Sequence, residues 1–134
     1  MNEKRYPLFP MMVDLSEKSV MVIGSDDSLS RFITDLSGYT GHLYLLSTHP
    51  TPALKDACRV SHAALFEKRY HREDLYGMDM VICASRDQEI NSDVAAICRT
   101  LGIRLCIPGD SSRSDFAYEP AHESSMQQQL CAAQ

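Results

Sequence analysis

Residues 19–29 read SVMVIGSDDSL, and this stretch decides the architecture. Ser19 to Gly24 is a short, continuous apolar run that stops at a glycine. Such a run suits a strand buried on both faces, as in a parallel sheet. The period then changes. Leu29, Phe32, Ile33 and Leu36 fall at i, i+3, i+4 and i+7, the apolar stripe of a helix. Asp26 or Asp27 is placed to cap its start and Gly38 to end it. A strand buried on both sides that turns through glycine into an amphipathic helix is the opening unit of an α/β sheet.

The same grammar continues downstream. Residues 42–47, HLYLLS, form a second apolar strand. Pro50 and Pro52 then break the chain, and residues 52–57 begin a short helix. Leu65 to Tyr70 is a third, more polar strand. Residues 80–84, MVICA, form a fourth. Residues 88–101 form a helix with Ile90, Val94, Ile97, Cys98 and Leu101 on one side, and Gly102 stops it. Arg104 to Ile107 is the fifth strand, closed by Pro108-Gly109. The order β-α-β-(α)-β-β-α-β predicts an α/β fold, a Rossmann-like, doubly wound parallel sheet of about five strands. Residues 1–121 make the domain, and 122–134 read as a polar tail. In such sheets ligands bind beyond the carboxyl ends of the strands. The loops of interest are therefore 24–28, 47–52, 84–88 and 108–116.

The bulk numbers agree. The chain has 134 residues, 44% hydrophobic and 23% charged, enough for one domain with a core. A formal charge of -5 opposes nucleic acid, whose phosphates call for a basic footprint. No apolar run approaches the ~20 residues that cross a bilayer, and the amino-terminal residues lack the apolar core of a signal peptide. The expected location is the cytoplasm, away from membranes. The five cysteines contain no C-x-x-C pair, and the histidines show no ligand spacing, so no metal site is expected. Cys83, Cys98 and Cys106 sit in apolar context and read as small core residues.

The turn after the first strand bears on a cofactor. In the dinucleotide fingerprint G-x-G-x-x-G/A the first glycine makes the tight turn. The second lets the backbone approach the pyrophosphate, and the third lets helix and strand pack closely. Here Gly24 keeps the first position, while Asp26 and Leu29 take the second and third. Carboxylates at a helix N-terminus suit the helix dipole, but they repel a pyrophosphate placed there. The acid that commonly receives the ribose is also missing from residues 44–48. What these loops offer a dinucleotide is Gly24, Ser25, Asp26, Ser47 and Ser85.

Residues 6–121 resemble the amino-terminal NAD-binding domain of siroheme synthases, the precorrin-2 dehydrogenase/sirohydrochlorin ferrochelatase family. Tyr6-Pro7-Leu8-Phe9 and Val13-Asp14-Leu15 are similar to its Y-P-L-F-x-D-L. Lys68-Arg69-Tyr70, Asp74-Leu75 and residues 78–85 are similar to its R-x-Y…D-L-x-x-x-D-L-V-I-A-A-T. Asp87 and Asn91 match part of the continuation, with Ser85-Arg86 standing where the family has Thr-Asp. Residues 105–110, LCIPGD, Asp115-Phe116 and Pro120-Ala121 follow in the family's order. The resemblance implies an NAD-dependent oxidation of precorrin-2 to sirohydrochlorin, with iron insertion in bifunctional members, and a homodimer. It puts Asp110 at the position of the family's general acid/base. Read from the residues alone, Asp110 is a turn residue after Pro108-Gly109. The implied substrate is a polycarboxylate tetrapyrrole. Arg86, Arg104, Arg113 and His122 lie near the loops that would face it, with Arg113 and His122 as its binding residues. The alternative is a non-catalytic Rossmann-like module that binds a tetrapyrrole or a protein partner.

Overall fold

The computed structural model describes residues 6–118. Five strands, β1 (Ser19–Ile23), β2 (His42–Ser47), β3 (Ala64–Glu67), β4 (Met80–Cys83) and β5 (Arg104–Cys106), alternate with three helices. These are α1 (Leu29–Leu36), α2 (Pro52–Ser61) and α3 (Gln88–Leu101). The strands form one sheet in the order β3-β2-β1-β4-β5, and every pairing is parallel. The register sets Val22 beside Leu45 on one side and Ile82 on the other.

Strand alternation divides the core in two. Val20, Val22, Leu43, Leu45, Ile82 and Cys106 meet Leu29, Phe32 and Ile33 of α1 and Leu54, Ala57 and Cys58 of α2. The intervening Met21, Ile23, Leu46, Val81, Cys83 and Leu105 meet Val94 and Cys98 of α3. Helices on both faces make the sheet doubly wound, as the sequence predicts. The three cysteines expected in the core are buried, and Cys58 joins them.

Three local expectations change. The third strand ends at Glu67 rather than Tyr70, because its partner β2 ends at Ser47, opposite Glu67. Helix α2 runs to Ser61, well beyond residue 57. Its buried stripe of Leu54, Ala57 and Cys58 carries it on, and His62 closes it in the left-handed region at φ 59, so no glycine marks its end. Helix α1 has Ser28 at its N-cap with no side-chain cap bond. Asp26 instead accepts from the Ser28 N–H at 3.0 Å, one residue before the helix.

The two sheet edges differ. Beyond β5 the chain turns through Pro108-Gly109 and a 3-10 turn (Ser111–Arg113), then comes back along the strand. Asp115 N–H donates to the Leu105 carbonyl at 2.6 Å, and Leu105 N–H donates to Asp115 Oδ2 at 3.0 Å. Ile107 N–H donates to Ser114 Oγ at 2.9 Å. Tyr118 then stacks on Phe32 of α1, with ring centroids 4.2 Å apart. At the other edge β3 has β2 as its one strand partner among the described residues.

Candidate functional site at the β1–β4 crevice

The chain leaves β1 into α1 on one face of the sheet and leaves β4 into α3 on the other. Between these strands the connections diverge, which is where sheets of this topology place their ligand crevice, beyond the carboxyl ends. Gly24 forms one wall. Its N–H donates to the Leu46 carbonyl at 3.1 Å, and its φ is 155. A Cβ there would lie 2.7 Å from Leu29 Cδ1 and 3.1 Å from the Ala84 carbonyl oxygen. Glycine is therefore required both by the backbone angle and by close packing. Leu29 explains the altered third position: its buried side chain fills the gap over Gly24 that a small residue would leave.

The next residues divide their roles. Ser25 and Ser47 hydroxyls lie 2.7 Å apart, tying the β1 and β2 ends together. The Asp27 carboxylate accepts from the Thr51 hydroxyl and so faces the start of α2. Asp26 accepts from the Ser28 N–H through Oδ1 and from the Arg86 guanidinium through Oδ2 at 2.9 Å. These bonds, the Ser28 N–H foremost and Arg86 next, hold the Asp26 carboxyl below the usual carboxylate range. No described residue accepts from the backbone N–H groups of Ser25, Asp26 or Asp27. The two carboxylates of the turn thus have different partners. One is turned toward α2 and the other is paired with a cation.

The opposite wall is the 84–88 loop. Ser85 Oγ accepts from the Asp87 N–H at 3.0 Å, and Asp87 Oδ1 caps α3 through the Glu89 N–H at 2.9 Å. Buried Asn91 fixes the loop from below. It donates to the Ser85 carbonyl at 3.1 Å and accepts from the Cys83 thiol at 3.1 Å. Burial pushes that thiol up to about 11, so it stays a protonated donor.

Asp110 sits beyond β5. It accepts from Ser112 Oγ at 2.7 Å, from the Arg113 N–H at 3.3 Å and from Arg113 Nε at 2.6 Å. The Ser112 hydroxyl and then Arg113 hold its carboxyl below the usual range. Arg113 also reaches Ser92 Oγ at 3.3 Å. Of the expected cationic residues, Arg86 is thus on Asp26 and Arg113 on Asp110. Arg104 opens β5, at the amino end of the strand, and lines a surface pocket with Ser112, Arg113 and Asp115. His122 lies outside the described residues. Sequence reading gave Asn91 and Ser92 no place in the site. Asn91 did carry a signal, a polar residue against the apolar face of α3, whereas Ser92 is an exposed serine without one. Among the described residues no group of three or more His, Cys, Asp or Glu could hold a metal ion, and no helix is long and apolar enough to cross a membrane.

Strand order, glycine turn and crevice together define a Rossmann-type nucleotide-binding domain. The chain belongs to the family described as "Putative NAD(P)-binding", which it matches over residues 11–119. It is 30% identical over 120 residues to the probable multifunctional siroheme biosynthesis protein HemA of Ruminiclostridium josui, a match covering 90% of the chain and 23% of that protein. The chain therefore spans less than a quarter of that relative. Among solved structures it is similar to SirC, a precorrin-2 dehydrogenase, with a TM-score of 0.63 and 14% identity, over 95% of this chain and 71% of that one. At that identity the likeness is one of fold. The family match and the siroheme biosynthesis relative bear out the kinship that the sequence suggests, while the likeness to SirC shows the fold.

Proposed function

We propose that the domain binds NAD in the β1–β4 crevice and serves the oxidation of precorrin-2 to sirohydrochlorin. The observation that carries this reading is the Gly24 turn. A Cβ would fill it, and three N–H groups beside it are free of acceptors among the described residues, in a chain matched to an NAD(P)-binding family. Gly24, Ser25, Asp26, Ser47 and Ser85 would border the dinucleotide. Bound NAD would supply the acceptor for a hydride. The ring substrate loses that hydride and one proton, and the products are sirohydrochlorin, NADH and H⁺.

Asp110 would take the proton, and Arg113 and His122 would hold substrate carboxylates. The Asp110–Arg113 pair suits a coupled role. A substrate carboxylate that draws Arg113 away removes a cation from Asp110 and raises its proton affinity, so the base would strengthen as the substrate arrives. A homodimer in the cytoplasm fits this reading, and sedimentation equilibrium tests the dimer.

A second reading, a non-catalytic module for a tetrapyrrole or a protein partner, is favoured by the engagement of Asp110 with Ser112 and Arg113. The two separate in one experiment. Under the first, NAD raises the melting temperature, precorrin-2 yields NADH under anaerobic conditions, and Asp110→Asn ends turnover while keeping NAD binding. Tetrapyrrole binding with no NADH formed would establish the second.

A further inference from the structure

The ion pair across the crevice points beyond the general cofactor reading. Arg86 belongs to the loop after β4, yet its guanidinium lies on Asp26, in the turn after β1. The cation therefore stands where a Rossmann sheet receives a pyrophosphate, beside the helix that follows the first strand. Its side chain is 91% exposed and free to change partner. One of its five N–H donors is used, by Asp26. The remaining donors match the forked geometry with which arginine grips phosphate oxygens. Asp26 does not depend on Arg86 for its position, because the Ser28 N–H holds its other oxygen.

We propose that Arg86 is the phosphate ligand of the cofactor, an arginine from the β4–α3 loop standing in for the second glycine of the β1–α1 turn. This rests on the NAD reading above. Asp26 then acts as a resident competitor for the same cation. Binding is an exchange in which Arg86 leaves a carboxylate for a phosphate and Asp26 returns to water. Affinity for NAD is set by the difference between these two partners, and the contact to a doubly charged pyrophosphate is weakened by salt more than the pair with a single carboxylate.

The test is the NAD dissociation constant of the full chain, measured by calorimetry at several salt concentrations, for wild type, Arg86→Ala, Arg86→Lys and Asp26→Asn. Loss of a charge-assisted phosphate contact, offset by the weak exposed pair with Asp26 that it displaces, corresponds to about tenfold. The expected result is that Arg86→Ala weakens binding by about that factor and flattens its salt dependence. Arg86→Lys falls between, and Asp26→Asn, which keeps an acceptor for the Ser28 N–H, binds more tightly than wild type. Arg86→Ala within twofold of wild type, or weaker with an unchanged salt slope, overturns the assignment while the NAD reading stands. A wild type that binds no NAD removes both, and that result is visible before any variant is made.

Discussion

At Gly24 one residue answers two demands. The turn needs a backbone angle that a side chain resists, and the packing leaves a Cβ 2.7 Å from Leu29 Cδ1. Gly24→Ala should therefore cost about 1–3 kcal/mol of stability, read as a lower urea midpoint with an unchanged slope. Leu29→Ala would relieve the contact but leave the angle and open a cavity in the core, so the double variant should lose less than the sum of the two single losses. The role of Gly24 was legible in the sequence because turn, strand and helix are contiguous. The fate of Asp26 was not. Its cation lies 60 residues away, and nothing local to either residue announces the pair. The cysteines belong to this scale as well. Burial pushes the Cys98 thiol up to about 12 and raises those of Cys58 and Cys106. Cys58, Cys83, Cys98 and Cys106 should resist iodoacetamide at pH 8 in the folded protein and label once it is unfolded in urea, as mapped by mass spectrometry.

Among the elements, α3 was read from the sequence with its observed ends, because the apolar stripe and Gly102 mark it. Helix α2 was underread, since His62 adopts a left-handed turn that sequence assigns to glycine. The 3-10 turn of Arg72–Leu75 was also unread. It is anchored from a distance, with Arg72 and Tyr70 bonding Asp93 of α3 at 2.6 and 2.7 Å. Two substitutions test how elements hold the crevice. Thr51→Ala removes the α2 cap, formed through the Leu54 N–H at 3.3 Å, and should cost about 1 kcal/mol in urea unfolding. Asn91→Ala removes its bond to the 84–88 loop and its bond to Cys83 of β4 and strands the Ser85 carbonyl, for about 1–3 kcal/mol. If Asn91 positions the crevice as described, that variant should also lose NAD affinity, whereas Thr51→Ala should lose much less.

For the whole molecule, titration sets a stability window. The carboxyls of Asp26, Asp93 and Asp110 are held below their ordinary value, so the unfolded chain takes up protons first. Their contribution is complete above about pH 4–5 and is lost as pH falls through the lower folded values. The Cys83, Cys98 and Tyr70 groups are raised, chiefly by burial. Their contribution is complete below the ordinary thiol and phenol values of about 8.5 and 10 and is lost as pH rises beyond them. Urea midpoints should thus be level from about pH 5 to 8 and fall on both sides. An alkaline limb as flat as the plateau would contradict the burial of these groups.

The unequal edges of the sheet have a consequence for how copies of the chain could meet. The outward N–H and C=O groups of Leu105, and the Ile107 N–H, are already taken by Ser114 and Asp115, so β5 offers a newcomer no ladder. The far side of β3 has no strand beside it among the described residues. Among the described residues, backbone addition is thus open at one end of the sheet and closed at the other. Two molecules joined edge to edge through β3 would exhaust each other's open side, and growth would stop at a pair instead of running on into a fibre.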